Sequence, residues 1–138
     1  MTFNLTKDQI EIQQRARQIA SSLVAENAAE VDKSEQYPWD NVKALTDAGF
    51  VGMTIPKEYG GPGRSFLEAN LVVEEMAAYC GPTGRIAVEA NMGAISAVMH
   101  YGTDFQKRLA AELVLAGDKP AICITEPDAG SAASQMTT

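Results

Sequence analysis

Arg85 is the residue whose type and setting most need a chemical reason. It stands near the start of a long stretch of apolar and small residues that reads as a helix, and a helix N-terminus disfavours a cation. A planar guanidinium matches a carboxylate or sulfinate through two parallel hydrogen bonds, so Arg85 is a candidate anchor for an anionic ligand group. The plainer alternative is an ion pair with Glu89, one turn on, in the less favourable order of cation before anion. The second candidate is the run Thr125-Glu126-Pro127-Asp128-Ala129-Gly130-Ser131, which combines hydroxyls with a glycine that lets backbone approach a ligand closely. There the alternative is that Thr125 and Ser131 only cap a turn.

Other chemistry-bearing residues read as structural. His100 falls in the last turn of a helix, where a cation or capping donor is favourable. Glu74 and Glu75 are adjacent and project about 100° apart around a helix, so they do not form a carboxylate pair on one bond and at most one faces inward. Trp39 reads as an anchor for the loop before the second helix, and Met92 and Met99 as core filler. Cys80 and Cys123, in a chain with one histidine, have no metal-ligand spacing. They read as two buried free thiols in a reducing compartment, with no metal site.

The elements that must position these residues are helical up to about residue 118. Thr6-x-x-Gln9 is a capping box, and Ile10, Ile12, Ala16, Ile19, Ala20 and Leu23 recur behind it near helical spacing to about residue 32. Pro38 serves at the first turn of a second helix over 39–48, with Gly49 just past its end. Residues 50–64, ending in Tyr59-Gly60-Gly61-Pro62-Gly63, read as an ordered, turn-rich surface loop. Ser65-x-x-Glu68 caps a third helix that closes at Gly81-Pro82. The fourth, over 83–100, is apolar on nearly every side and rich in small residues, which predicts the central buried helix. Thr103-x-x-Gln106 caps a fifth, ended by Gly117. Pro120-Ala121-Ile122-Cys123-Ile124-Thr125 then reads as a short strand. A lone strand has nothing to pair with, so the chain reads as part of a longer protein.

Composition bounds the function classes. The chain has 138 residues, 46% hydrophobic and 21% charged, the profile of a folded globular domain. A formal charge of −7 disfavours binding to nucleic acid or to anionic lipid. No apolar run reaches the roughly 20 residues of a membrane span, and Met1 to Lys7 has neither the basic nor the apolar part of a secretory leader. A cytoplasmic protein is the expectation.

Four pieces together resemble the acyl-CoA dehydrogenase flavoproteins along the whole chain. They are Asp47-Ala48-Gly49-Phe50, Ile55-Pro56-Lys57-Glu58-Tyr59-Gly60-Gly61-Pro62-Gly63, Tyr101-Gly102-Thr103 and Thr125-Glu126-Pro127-Asp128-Ala129-Gly130-Ser131. The resemblance implies an all-α, five-helix N-terminal domain over 1–118 and the first strand of a middle β domain over 119–138. It further implies FAD and an acyl-CoA thioester as ligands, and a homo-oligomer, usually a tetramer. Carried over residue by residue, Ile124 and Thr125 would contact the isoalloxazine ring, while Gly130 and Ser131 would face the FAD pyrophosphate, Ser131 also meeting the acyl-CoA.

A narrower resemblance, to the branch that desulfinates 3-sulfinopropanoyl-CoA, rests on Glu35-Gln36-Tyr37-Pro38-Trp39-Asp40-Asn41-Val42 and on Cys123 to Ser134. Ordinary dehydrogenases usually carry Asp at the position of Ala132. In this branch Arg85 would anchor the anionic end of the substrate, and the products would be propanoyl-CoA and sulfite. Two other expectations stand beside it: a short-chain dehydrogenase forming a trans-2-enoyl-CoA, and a non-catalytic helical interaction module.

Overall fold

The computed structural model describes residues 4–138; Met1–Phe3, the opening of the stretch read for a leader, lie outside them. Seven α-helical segments succeed one another among the described residues: α1 (Lys7–Ile19), α2 (Ala25–Ser34), α3 (Trp39–Asp47), α4 (Phe66–Ala77), α5 (Gly81–Asn91), α6 (Ala94–Tyr101) and α7 (Asp104–Leu115). The helical class expected for the segment is what forms. None of these helices is long and apolar enough to cross a membrane.

The three capping boxes form as their residues dictate. The Thr6, Ser65 and Thr103 hydroxyls each accept the backbone N–H three residues on, and Gln9, Glu68 and Gln106 each reach back to the N-cap amide. The first helix of the sequence pattern is α1 and α2 joined by a π-helical turn at Ala20–Val24. Its buried row, Ile12, Ala16, Ala20 and Val24, repeats every fourth residue. In a pure α-helix such a row drifts by about 40° per step. The wider turn brings Ala20 and Val24 back to the same face, where both are fully buried. Pro38 stands at the N-cap of α3 rather than within its first turn.

The first part of the stretch 50–64 corrects the expectation of a surface loop, whereas 57–64 lie largely exposed, as expected. Phe50, Val51, Met53 and Ile55 are all buried in the main core, with a single 3-10 turn at Lys57–Tyr59. Backbone bonds fold it onto itself and onto α5: Gly52 N–H donates to Ala90 O at 3.2 Å, Gly63 N–H to Ile55 O at 2.9 Å and Arg64 N–H to Met53 O at 2.7 Å. A Cβ on Gly61 would overlap the Ile55 carbonyl, so Gly61 serves close packing, while Gly60 and Gly63 turn the chain at positive φ. The apolar run Phe50-Val51-Gly52-Met53-Thr54-Ile55 was the available signal, outweighed by the turn residues after it.

The fourth helix is also corrected. It breaks at Met92–Gly93 into α5 and α6, and only α5 is central. Along α6, Ile95 alone is fully buried, while Ala97, His100 and Tyr101 are exposed. The small residues do what they promised at the α4–α5 contact, the most extensive in the molecule. A Cβ on Gly84 would sit 2.6 Å from Ala77 Cβ and 2.8 Å from Ala77 Cα. Gly84→Ala is therefore expected to force α4 and α5 apart and to cost about 1–3 kcal/mol. Urea denaturation checks this, and an unshifted midpoint would mean that the helices tolerate a wider spacing.

Residues 120–125 form no ladder; they run exposed after α7, as an apolar strand must when no second strand adjoins it. The nearest thing to pairing is the tight turn at Glu126 and Ala129, which exchange both backbone hydrogen bonds at 3.1 and 3.2 Å.

Candidate functional site

Arg85 occupies the second turn of α5, its side chain 69% exposed, and it forms the ion pair with Glu89 that the helix spacing allows. Two residues earlier on α5, buried Thr83 receives a hydrogen bond from Asn41 Nδ2 at 2.9 Å, and Asn41 Oδ1 accepts from Asn27 Nδ2 at 2.9 Å. This chain of two amides and a hydroxyl ties α2, α3 and α5 to one another. Arg85 also lines a cavity of about 260 Å³ walled by Val42, Val51, Ile86 and Ala90. A second cavity, of about 370 Å³ against Val31 and Pro82, shares Tyr37, Arg85 and Ile86 with the first. The guanidinium thus sits on the partition between two mainly apolar hollows.

Tyr37 and Lys119 complete this rim, and neither was singled out from the sequence. Lys119 Nζ lies 4.6 Å from the centre of the Tyr37 ring and 5.6 Å from that of Trp39, and the two rings meet edge to face at 4.7 Å. The cation–π contacts tie the segment leaving α7 to the loop before α3. Trp39 therefore anchors that loop, as expected, while remaining 52% exposed. Burial first, and the nearby Asp118 second, raise the Tyr37 phenol above its ordinary pKa, so it stays a neutral hydrogen-bond donor.

The other site residues lie apart from Arg85. Ile124, Thr125, Gly130 and Ser131 are all exposed on the segment after α7, and neither cavity that Arg85 lines includes them. Their turn is closed by backbone bonds and by Glu126, whose carboxylate accepts the N–H groups of Thr137 and Thr138, both at 3.0 Å. It follows that the Thr125 and Ser131 hydroxyls are not what holds the turn. Hydrogen bonds from Thr138 and Thr137 depress the Glu126 carboxyl to about 2 from its ordinary 4.5. A depressed carboxyl stabilises the turn fully above pH 4.5, and that contribution disappears as the pH falls through about 2. Acid titration of the chain by NMR is expected to move the Thr137 and Thr138 amide resonances with a midpoint near 2. A midpoint at the ordinary carboxylate value would mean that these bonds do not form in solution.

The residues read as structural fall as follows. Glu75 is buried and Glu74 exposed, so one of the two faces inward; Glu75 takes Arg17 Nη2 at 2.7 Å and Nε at 3.0 Å. That hydrogen-bonded pairing raises the Arg17 guanidinium pKa above its ordinary value. His100 is exposed beside Tyr101, ring centres 5.0 Å apart. Met92 and Met99 pack against the core. Cys80 is buried but Cys123 is exposed, which corrects the expectation of two buried thiols. Cys123 belongs to the unpaired apolar run, where nothing covers it.

Residues 6–118 match the family model described as "Acyl-CoA dehydrogenase, N-terminal domain". The chain is 60% identical over 136 residues to the 3-sulfinopropanoyl-CoA desulfinase of Variovorax paradoxus, and 59% identical over 136 residues to that of Paraburkholderia xenovorans. In each case 99% of this chain is covered, but only 34% and 35% of the relative, so the chain spans about a third of their length. Among solved structures it resembles a glutaryl-coenzyme A dehydrogenase bound to glutaryl-CoA, with a TM-score of 0.88 at 29% identity over 99% of this chain and 36% of that one. A glutaryl-CoA dehydrogenase of Mycobacterium smegmatis in complex with FADH2 superposes with a TM-score of 0.84 at 26% identity, covering 97% of this chain and 35% of that one. The chain belongs to the acyl-CoA dehydrogenase family, of which it carries the N-terminal domain.

Proposed function

We propose that this chain is the N-terminal part of an FAD-dependent enzyme that removes the sulfinate group from 3-sulfinopropanoyl-CoA. The observation that carries the reading is Arg85: a mostly exposed guanidinium on the edge of an apolar cavity, in a chain 60% identical to a desulfinase. In the reaction the bond between the β-carbon and sulfur breaks. Water supplies a proton to that carbon and a hydroxyl to sulfur, giving propanoyl-CoA and sulfite with no external oxidant.

The residues after α7 fit a share of the flavin site. Ile124, Thr125, Gly130 and Ser131 are exposed, and a Cβ built on Gly130 meets nothing within 4 Å, which leaves room for a ligand against the backbone. Ile124 and Thr125 would hold the isoalloxazine, and Gly130 and Ser131 the pyrophosphate. When bound, FAD would supply a redox-active flavin to act on the acyl thioester. The part played by this chain's own residues is to bind and orient: Ser131 donates to the acyl-CoA, and Arg85 fixes the anionic tail. The intact protein is proposed to be a cytoplasmic homo-oligomer, a tetramer, of an enzyme acting on acyl-CoA.

The ion pair of Arg85 with Glu89 favours one other reading, an ordinary short-chain dehydrogenase in which this arginine is neutralised and meets no substrate. Incubating the complete FAD-loaded gene product with 3-sulfinopropanoyl-CoA, without an electron acceptor, separates them. The desulfinase reading expects stoichiometric sulfite. No sulfite, with bleaching of the flavin by a short-chain acyl-CoA, would overturn it in favour of the dehydrogenase.

A further inference from the structure

We propose that Glu89 is a positioning residue for Arg85, holding the guanidinium toward the cavity so that acyl chains with an anionic end are selected over uncharged ones. The inference rests on the reading of Arg85 as the anchor for the anionic end of the substrate. Its basis is a difference in exposure and hydrogen bonding between the two partners. The Arg85 side chain is 69% exposed, so packing does little to choose among its rotamers. The Glu89 side chain is only 13% exposed. Its Oε2 accepts from Ala94 N–H at 3.4 Å, at the start of α6, while Oε1 faces Arg85.

The break between α5 and α6 makes room for this carboxylate. A Cβ on Gly93 would collide with Glu89 Oε2 and come within 2.9 Å of its Cδ, so a side chain there would displace the group. The fixed member of the pair is therefore the glutamate, and the arginine takes its orientation from it. Helix stabilisation does not account for the pair, since cation before anion is the weaker order on a helix. A guanidinium carries five N–H donors in a plane, and one carboxylate uses at most two of them, which leaves an edge for a second anion. Both residues line the same cavity, whose other charged lining residues are Asp118 and Lys119.

The test uses the complete FAD-loaded protein and two thioesters of equal chain length: succinyl-CoA, whose carboxylate stands in for the sulfinate, and butanoyl-CoA. Calorimetry gives the Kd of each for the wild type and for Glu89→Gln, Glu89→Asp and Arg85→Lys. Glu89→Gln keeps an oxygen for Ala94 N–H, so the helix break survives the substitution. It is expected to weaken succinyl-CoA binding about tenfold, as losing one charge-assisted contact does. Butanoyl-CoA should hold within about twofold, and Glu89→Asp should recover part of the loss. Equal weakening of both ligands by Glu89→Gln, or tighter succinyl-CoA binding, would overturn the proposal. If Arg85→Lys changes the ratio of the two affinities and Glu89→Gln does not, Glu89 is no positioning residue and the anchor stands. If Arg85→Lys leaves the ratio unchanged, the anchor reading falls and this inference with it.

Discussion

Asn91→Leu is expected to lower the stability of the chain by about 3–5 kcal/mol, the range for unpaired buried polar groups at several positions at once. Asn91 is fully buried at the end of α5. Its Oδ1 accepts from Met53 N–H at 2.7 Å, and its Nδ2 donates to Phe50 O and Ala87 O, both at 2.9 Å. Its own carbonyl accepts from the Thr54 hydroxyl. One side chain thus satisfies the main chain of a loop that carries four core residues, Phe50, Val51, Met53 and Ile55. Leucine fits the volume but leaves the Met53 amide and the Phe50 carbonyl buried without partners. The melting temperature should fall by roughly 10–15 °C for a domain of this size. Asn91→Asp keeps the acceptor for Met53 but sets an anion against two carbonyls, so it should be no milder. A melting temperature within a degree or two of the wild type for Asn91→Leu would show that apolar packing alone holds the loop.

That loop marks the boundary of what the sequence made legible. Helix starts could be read because a capping box is a local contract between residues three apart, and Thr6, Ser65 and Thr103 each honour it. The helical class followed from spacing alone. The burial of 50–55 could not be read from local rules, because it depends on an amide about forty positions away in sequence. Asn91 itself was visible in principle, as a polar residue on the small-residue face that also carries Ala87 and Ala90. The same holds for Asn41, which shares the inner face of α3 with Leu45. In each case a polar side chain on an apolar stripe was the sign of a buried network.

The break in the fourth helix has the same origin. Gly93 alone costs a helix little, and nothing nearby in sequence announces a stop. The stop depends on the Glu89 carboxylate turning back to the Ala94 amide, which requires both the glycine and the burial of Glu89. For the candidate site, the residues proposed to meet ligands were named by resemblance. Of the groups around Arg85, Glu89 was legible as its partner one turn on, whereas Tyr37 and Lys119 became visible only once α3, α5 and the segment after α7 were brought together.

Arg85→Lys in the complete enzyme is expected to lower kcat/KM for 3-sulfinopropanoyl-CoA on the order of 100-fold, since a bidentate charge-assisted pair becomes a single point contact. The substitution conserves charge, so the loss isolates geometry from electrostatics. Its effect on folding should be slight. The pair with Glu89 lies on a helix surface with the arginine 69% exposed, and exposed pairs one turn apart contribute only about 0.3–0.5 kcal/mol. An unchanged melting curve beside a large kinetic loss would place Arg85 with the substrate rather than with the scaffold. An uncharged short-chain thioester should bind the variant as well as it binds the wild type, because the cavity walls of Val42, Val51, Ile86 and Ala90 are untouched. If the lysine variant instead released sulfite at the wild-type rate, a single cation would be enough at this position.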